Sequence, residues 1–83
     1  VDSIGNLRIE AEGPCEVKGT SKVKMGVIIA QSYAWIEGFV FNRTLNIIAK
    51  QNSKIYVMAP KTVALVKLIE SDSEVTIRVY KNQ

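Results

Sequence analysis

Nucleophilic chemistry needs a base beside its nucleophile, and this chain of 83 residues has no histidine and a single cysteine, Cys15. No Cys–His or Ser–His pair can be assembled. The same absence removes a structural zinc site. Glu10 and Glu12 share one face of an alternating segment, as an acid/base pair would, but Arg8 and Lys18 lie close in sequence and make a solvated ionic face the simpler reading. Glu70-x-Asp72-x-Glu74 spaces three carboxylates at alternate positions, a donor set suited to a hard cation. It lacks the glycine and the later acidic ligand of a calcium loop and reads as a solvated turn. The glycines at 5, 13, 19, 26 and 38 form no dinucleotide fingerprint, and Lys18-Gly19-Thr20 reverses the Gly-Lys order that a phosphate loop needs. Asn42-Arg43-Thr44 matches a glycosylation acceptor, a short pattern that also requires secretion. The chain therefore reads as non-catalytic, with no cofactor and no metal.

What remains is binding chemistry. The net charge is +3, and it is unevenly distributed. Between Glu37 and Glu70 there is no carboxylate, whereas Arg43, Lys50, Lys54, Lys61 and Lys67 all fall there. Such a segment suits an anionic partner or the acidic ends of a neighbouring copy. The candidate anion-binding residues are Lys22, Lys24, Arg43, Lys50, Lys54, Tyr56, Arg78 and Tyr80, with the tyrosines interleaved to stack on bases. Cys15 falls on the apolar side with Val17 and reads as a small buried hydrophobe.

The elements that would position these groups centre on Val27–Phe41, which holds the only Trp, both Phe and one Tyr. With period two, Val27, Ile29, Tyr33, Trp35, Phe39 and Phe41 share one face, and the other is nearly as apolar. Strands of that kind are covered on both sides. A helix over the same residues would expose Trp35 and Phe41 and carry Gly38 in its interior, at about 1 kcal/mol relative to Ala. Branched and aromatic residues favour the pleated reading, with a bulge near Glu37-Gly38.

Shorter amphipathic segments flank this stretch. Leu7, Ile9 and Ala11 alternate with Arg8, Glu10 and Glu12; Cys15–Lys18 and Lys22–Met25 follow. Asn42-Arg43-Thr44 reads as a turn leading into Leu45–Lys50, giving a hairpin. Ile55, Val57 and Ala59 oppose Lys54, Tyr56 and Met58, and Pro60 interrupts. Thr62–Ile69 is apolar on both sides except at Lys67 and reads as a second buried strand. Val75, Ile77 and Val79 form the last inward face.

Turn signals every 8 to 12 residues predict one all-β domain over residues 1–83, a small antiparallel sandwich, barrel or β-roll of about seven or eight short strands. A faint repeat, Ser21-Lys22-Val23, Ser53-Lys54-Ile55 and Ser73-Glu74-Val75, has unequal spacings of 32 and 20 residues. A solenoid needs a fixed period, so the antiparallel reading is preferred.

A chain this short, with no disulfide to staple it, needs a very good core or a partner. The expected function is accordingly a structural or assembly module that self-associates, as a subunit of a ring, shell or filament, through Tyr33, Trp35, Phe39 and Phe41. The alternative is a small β-barrel that binds nucleic acid through the basic segment. No run reaches the length of a membrane span. The polar start at Val1 carries no signal-peptide pattern, and the expected location is intracellular or within an assembled particle.

Overall fold

The computed structural model describes residues 3–70 and 72–79. They form seven strands: β1 (Ser3–Glu12), β2 (Glu16–Lys18), β3 (Lys22–Gln31), β4 (Trp35–Ala49), β5 (Lys54–Ala59), β6 (Ala64–Ile69) and β7 (Glu74–Val79). All six strand pairings are parallel. The chain is all-β as expected, but it is a parallel β-solenoid of about four turns and not an antiparallel sandwich, barrel or roll.

The pairing register explains the architecture. Leu7 pairs with Gly26 and Gly26 with Leu45, each 19 residues on, and Leu45 pairs with Leu65 after 20. Parallel neighbours need a connection long enough to carry the chain back to its starting edge. Here the return runs across a second face. β1, β3, the latter part of β4, and β6 stack as one face, whereas β2, the start of β4, β5 and β7 stack as the other. β4 is long because it belongs to both. The hairpin expected at Asn42–Thr44 is absent, since β4 runs through those residues and only bends there.

The first corner of each turn decides the direction. Gly13 has φ +89°, Ser32 +59°, Tyr33 +71°, Gln51 +55° and Asn52 +64°. These left-handed residues send the chain onto the opposite face, where a two-residue hairpin would have returned it beside itself. Backbone hydrogen bonds continue between turns at this corner: Trp35 N–H donates to Cys15 O at 2.9 Å, Lys54 N–H to Ala34 O at 2.9 Å, and Glu74 N–H to Ser53 O at 2.9 Å. Cys15 is exposed here, contrary to the expectation of a buried thiol, because the corner lifts it out of the alternation of β2.

The core consists of ladders of like side chains between the two faces. Ile9, Ile28 and Ile47 stack in one ladder, Ala11, Ala30 and Ala49 in the next, and Val17, Ile36, Ile55 and Val75 on the opposing face. At the second bend the ring of Phe41, fully buried, lies over Gly26 of the turn beneath, and that of Phe39 over Gly19. A Cβ at either glycine would collide with the ring, so these positions make room for the aromatics. Burying each ring stabilises the fold by roughly 1.5–3 kcal/mol.

β6 and β7 form the terminal turn of the described residues. The expectation that Thr62–Ile69 is a second buried strand is therefore corrected: Val66 is 64% exposed and Leu68 58%. Lys67 occupies the ladder position above Ile47 and is exposed at this open end, where its stem can cover Ile47 while the ammonium reaches water.

Candidate functional site

Gly38 governs which side chains the coil presents. From Ile28 to Ile36 the even-numbered apolar residues point inward: Ile28, Ala30, Ala34 and Ile36 are all within 1% of full burial. Gly38 has φ +100°, and the register with β5 slips between Glu37 and Val40. The bulge foreseen at Glu37-Gly38 is thus present, and it inverts the alternation. Beyond it Phe39, Phe41, Leu45, Ile47 and Ala49 are the buried set. The four aromatics proposed as an interface are consequently divided. Phe39 and Phe41 lie in the core, whereas Tyr33 stands 64% exposed at the corner and Trp35 is 36% exposed on the second face.

The outer side of that second face carries an aromatic and ionic cluster. Trp35, Lys54 and Glu74 are stacked neighbours, as are Glu37, Tyr56 and Thr76. The Trp35 and Tyr56 rings lie 5.4 Å apart, and Lys54 Nζ sits 5.9 Å from the Trp35 centroid, within reach of a cation–π attraction. Trp35 Nε1–H donates to Glu37 Oε1 at 2.9 Å, and the Tyr56 hydroxyl donates to Glu74 Oε2 at 3.5 Å. Beside the cluster a groove of about 590 Å³ is lined by Glu37, Gly38, Tyr56, Met58, Thr76 and Arg78. The polar groups of the cluster thus find partners among themselves.

The first face differs. Its outer columns are Asn6–Met25–Thr44–Ala64, Arg8–Val27–Asn46–Val66 and Glu10–Ile29–Ile48–Leu68. Only the first turn is charged, with Arg8 Nε 3.0 Å from Glu10 Oε2. Above it Met25, Val66 and Leu68 are exposed and Val27, Ile29 and Ile48 half-buried. This apolar surface, interrupted by the exposed Asn46, is distinct from Tyr33, Trp35, Phe39 and Phe41, the residues expected to carry self-association. Its signal in the sequence is the two-sided apolar character of Val27–Ile29 and Thr62–Ile69, which calls for cover on both sides.

The proposed anion-binding residues are separated by the coil. Lys22, Lys24 and Arg43 lie along the second bend, Lys54 and Tyr56 in the aromatic cluster, and Lys50 at the first corner. Arg78 follows Met58 in register near the bend. Tyr80 lies outside the described residues. Among the described residues no group of His, Cys, Asp or Glu is arranged to hold a metal ion, and Glu70, Asp72 and Glu74 do not converge. No helix of the described residues is long and apolar enough to cross a membrane. Comparison with protein-family models, with curated proteins and with solved structures finds no match to this chain.

Proposed function

We propose that this chain is a non-catalytic structural module in which the apolar outer side of the first face docks onto the same face of a second copy. The observation that carries the reading is the apolar surface of Met25, Val27, Ile29, Ile48, Val66 and Leu68, which surrounds the exposed Asn46. Extended apolar surface of this kind marks an interaction site. A second copy suits it on two grounds. Stacked parallel strands give a nearly flat outer surface, and a flat surface meets its own copy across a two-fold axis without needing a shaped counterpart. The adjacent, oppositely charged Arg8 and Glu10 at its margin can also pair reciprocally across such an axis.

The area sets the strength. About six residues at roughly 3.3 Å and four strands at roughly 4.8 Å give a footprint of about 20 × 19 Å, or about 760 Å² over both partners. That is below the roughly 1,000 Å² of a robust interface, so the expected dimer is weak and concentration-dependent. Light scattering from about 10 μM to about 1 mM covers contacts of about −7 to −4 kcal/mol. The expected result is a mass that rises towards twice the monomer and is held at the monomer by Val66→Lys or Leu68→Lys. A monomer throughout, or a dimer indifferent to both substitutions, would overturn the proposal.

A further inference from the structure

The coil sorts charges that are mixed along the sequence. One column at the second bend runs Ser3–Lys22–Val40–Met58–Arg78 in register. Beside it, where Lys24 alone faces both Asn42 and Arg43 because the register slips between Val23 and Met25, the next column carries Lys24 and Arg43, with Lys61 in the bend above. Neither column contains a carboxylate. Glu12, Glu70 and Asp72 lie at the opposite corner, and Glu10, Glu16 and Glu74 nearer to it. Glu37, the carboxylate nearest the bend among the described residues, is engaged by the Trp35 indole. The ion pairs among the described residues are Arg8–Glu10 and Lys18–Glu16, so none of these five bend cations forms a salt bridge with a described residue. All five are exposed.

We infer that this edge binds the phosphodiester backbone of duplex nucleic acid without reading sequence. Lys24, Arg43 and Lys61 belong to successive turns, so they repeat along the edge at about 4.8 Å and present a narrow cationic ridge about 10 Å long, flanked by Lys22 and Arg78. A duplex carries about one phosphate per 1.7 Å of its axis, the charge density that best rewards such a row by releasing condensed counterions. Among the described residues the edge holds no exposed aromatic side chain for base stacking. Single strands, whose recognition relies on stacked bases, therefore gain no advantage there.

The test is fluorescence anisotropy with a labelled 20-base-pair duplex of arbitrary sequence. About four phosphate contacts predict a slope of log K against log salt of about −3.6, a loss of about 150-fold between 50 and 200 mM. Two double variants change the net charge equally, so they separate this edge from bulk charge. Lys24→Glu with Arg43→Glu is expected to abolish binding at 50 mM, whereas Lys50→Glu with Lys54→Glu leaves it within a few-fold of the parent. Equal losses in both, no binding by the parent at 20 mM salt, a clear preference for single strands, or binding to heparin but not to the duplex would each overturn the assignment.

Discussion

Substituting Gly26 by Ala places a methyl group where the ring of Phe41 now lies, although the two residues are 15 positions apart in sequence. The backbone at Gly26 is not left-handed, so the collision is the principal cost. Overpacking of this kind destabilises by about 1–3 kcal/mol. The lower chain entropy of unfolded Ala returns about 0.4–1 kcal/mol, leaving roughly 1–2. Phe41→Leu, at a fully buried site, should cost roughly 1–2 kcal/mol, well short of the roughly 3–5 of Phe→Ala. In the double variant the new methyl group occupies space that the ring has vacated. The combined loss should then be roughly 1–2 kcal/mol where the two single values sum to roughly 2–4, a favourable coupling of about 1–2 kcal/mol. A domain of this length has about 4–12 kcal/mol in hand, so all three variants remain folded and measurable. Urea unfolding followed by Trp35 fluorescence gives the cycle, with Tm shifts of about 4–8 °C per kcal/mol as a check. Additivity within 0.5 kcal/mol would refute the stacking of Phe41 on Gly26.

The isoleucine ladder predicts opposite responses at two of its positions. Ile47→Lys should unfold the protein by burying an unpaired charge between turns, whereas Lys67→Ile, at the open end of the same ladder, should leave Tm unchanged or raise it, as read by thermal unfolding. Ser53 is fully buried, and its Oγ donates to Lys50 O at 2.7 Å, so Ser53→Ala should cost about 1 kcal/mol in urea unfolding.

Much of each strand was legible in the sequence, and little of their arrangement. The inward sets Leu7, Ile9 and Ala11, and Ile55, Val57 and Ala59, follow from alternation alone, because side chains of any strand alternate whatever its partner does. Gly38 was legible as a kink. Its consequence was not, because one inserted residue exchanges the faces, and Phe41 reads as sharing a side with Trp35 although it points the other way. Strand direction was hidden for a different reason: short alternating segments divided by polar turns describe a meander and a coil equally well. The difference lies in the corner backbone, and of the left-handed residues Ser32, Tyr33, Gln51 and Asn52 only Asn52 is of a type enriched in that conformation.

The period itself was present in the residues. Leu7-x-Ile9-x-Ala11, Gly26-x-Ile28-x-Ala30, Leu45-x-Ile47-x-Ala49 and Leu65-x-Lys67-x-Ile69 are one pattern at the register spacings of 19, 19 and 20. Aligning on serines concealed it, because Ser53 and Ser73 occupy equivalent corners but Ser21 sits before the other bend. Gly26 and Lys67 blur the pattern further, the first making room for Phe41 and the second facing water at the open end. The site fared similarly. Charges and apolar residues were correctly seen as unusual, but their grouping onto one edge and one face arises only when the chain is wound with this period.

The most direct test of the coil is the pattern of inter-strand nuclear Overhauser effects across the Ile28 and Ile47 strands. A parallel coil gives contacts between Ile28 and both Ile9 and Ile47, continuing in the same direction to Ala30 with Ala11 and Ala49. Contacts that run in opposite directions along successive segments, such as Leu45 with Ala59 and Ala49 with Ile55, would show hairpins and contradict the solenoid and every surface derived from it.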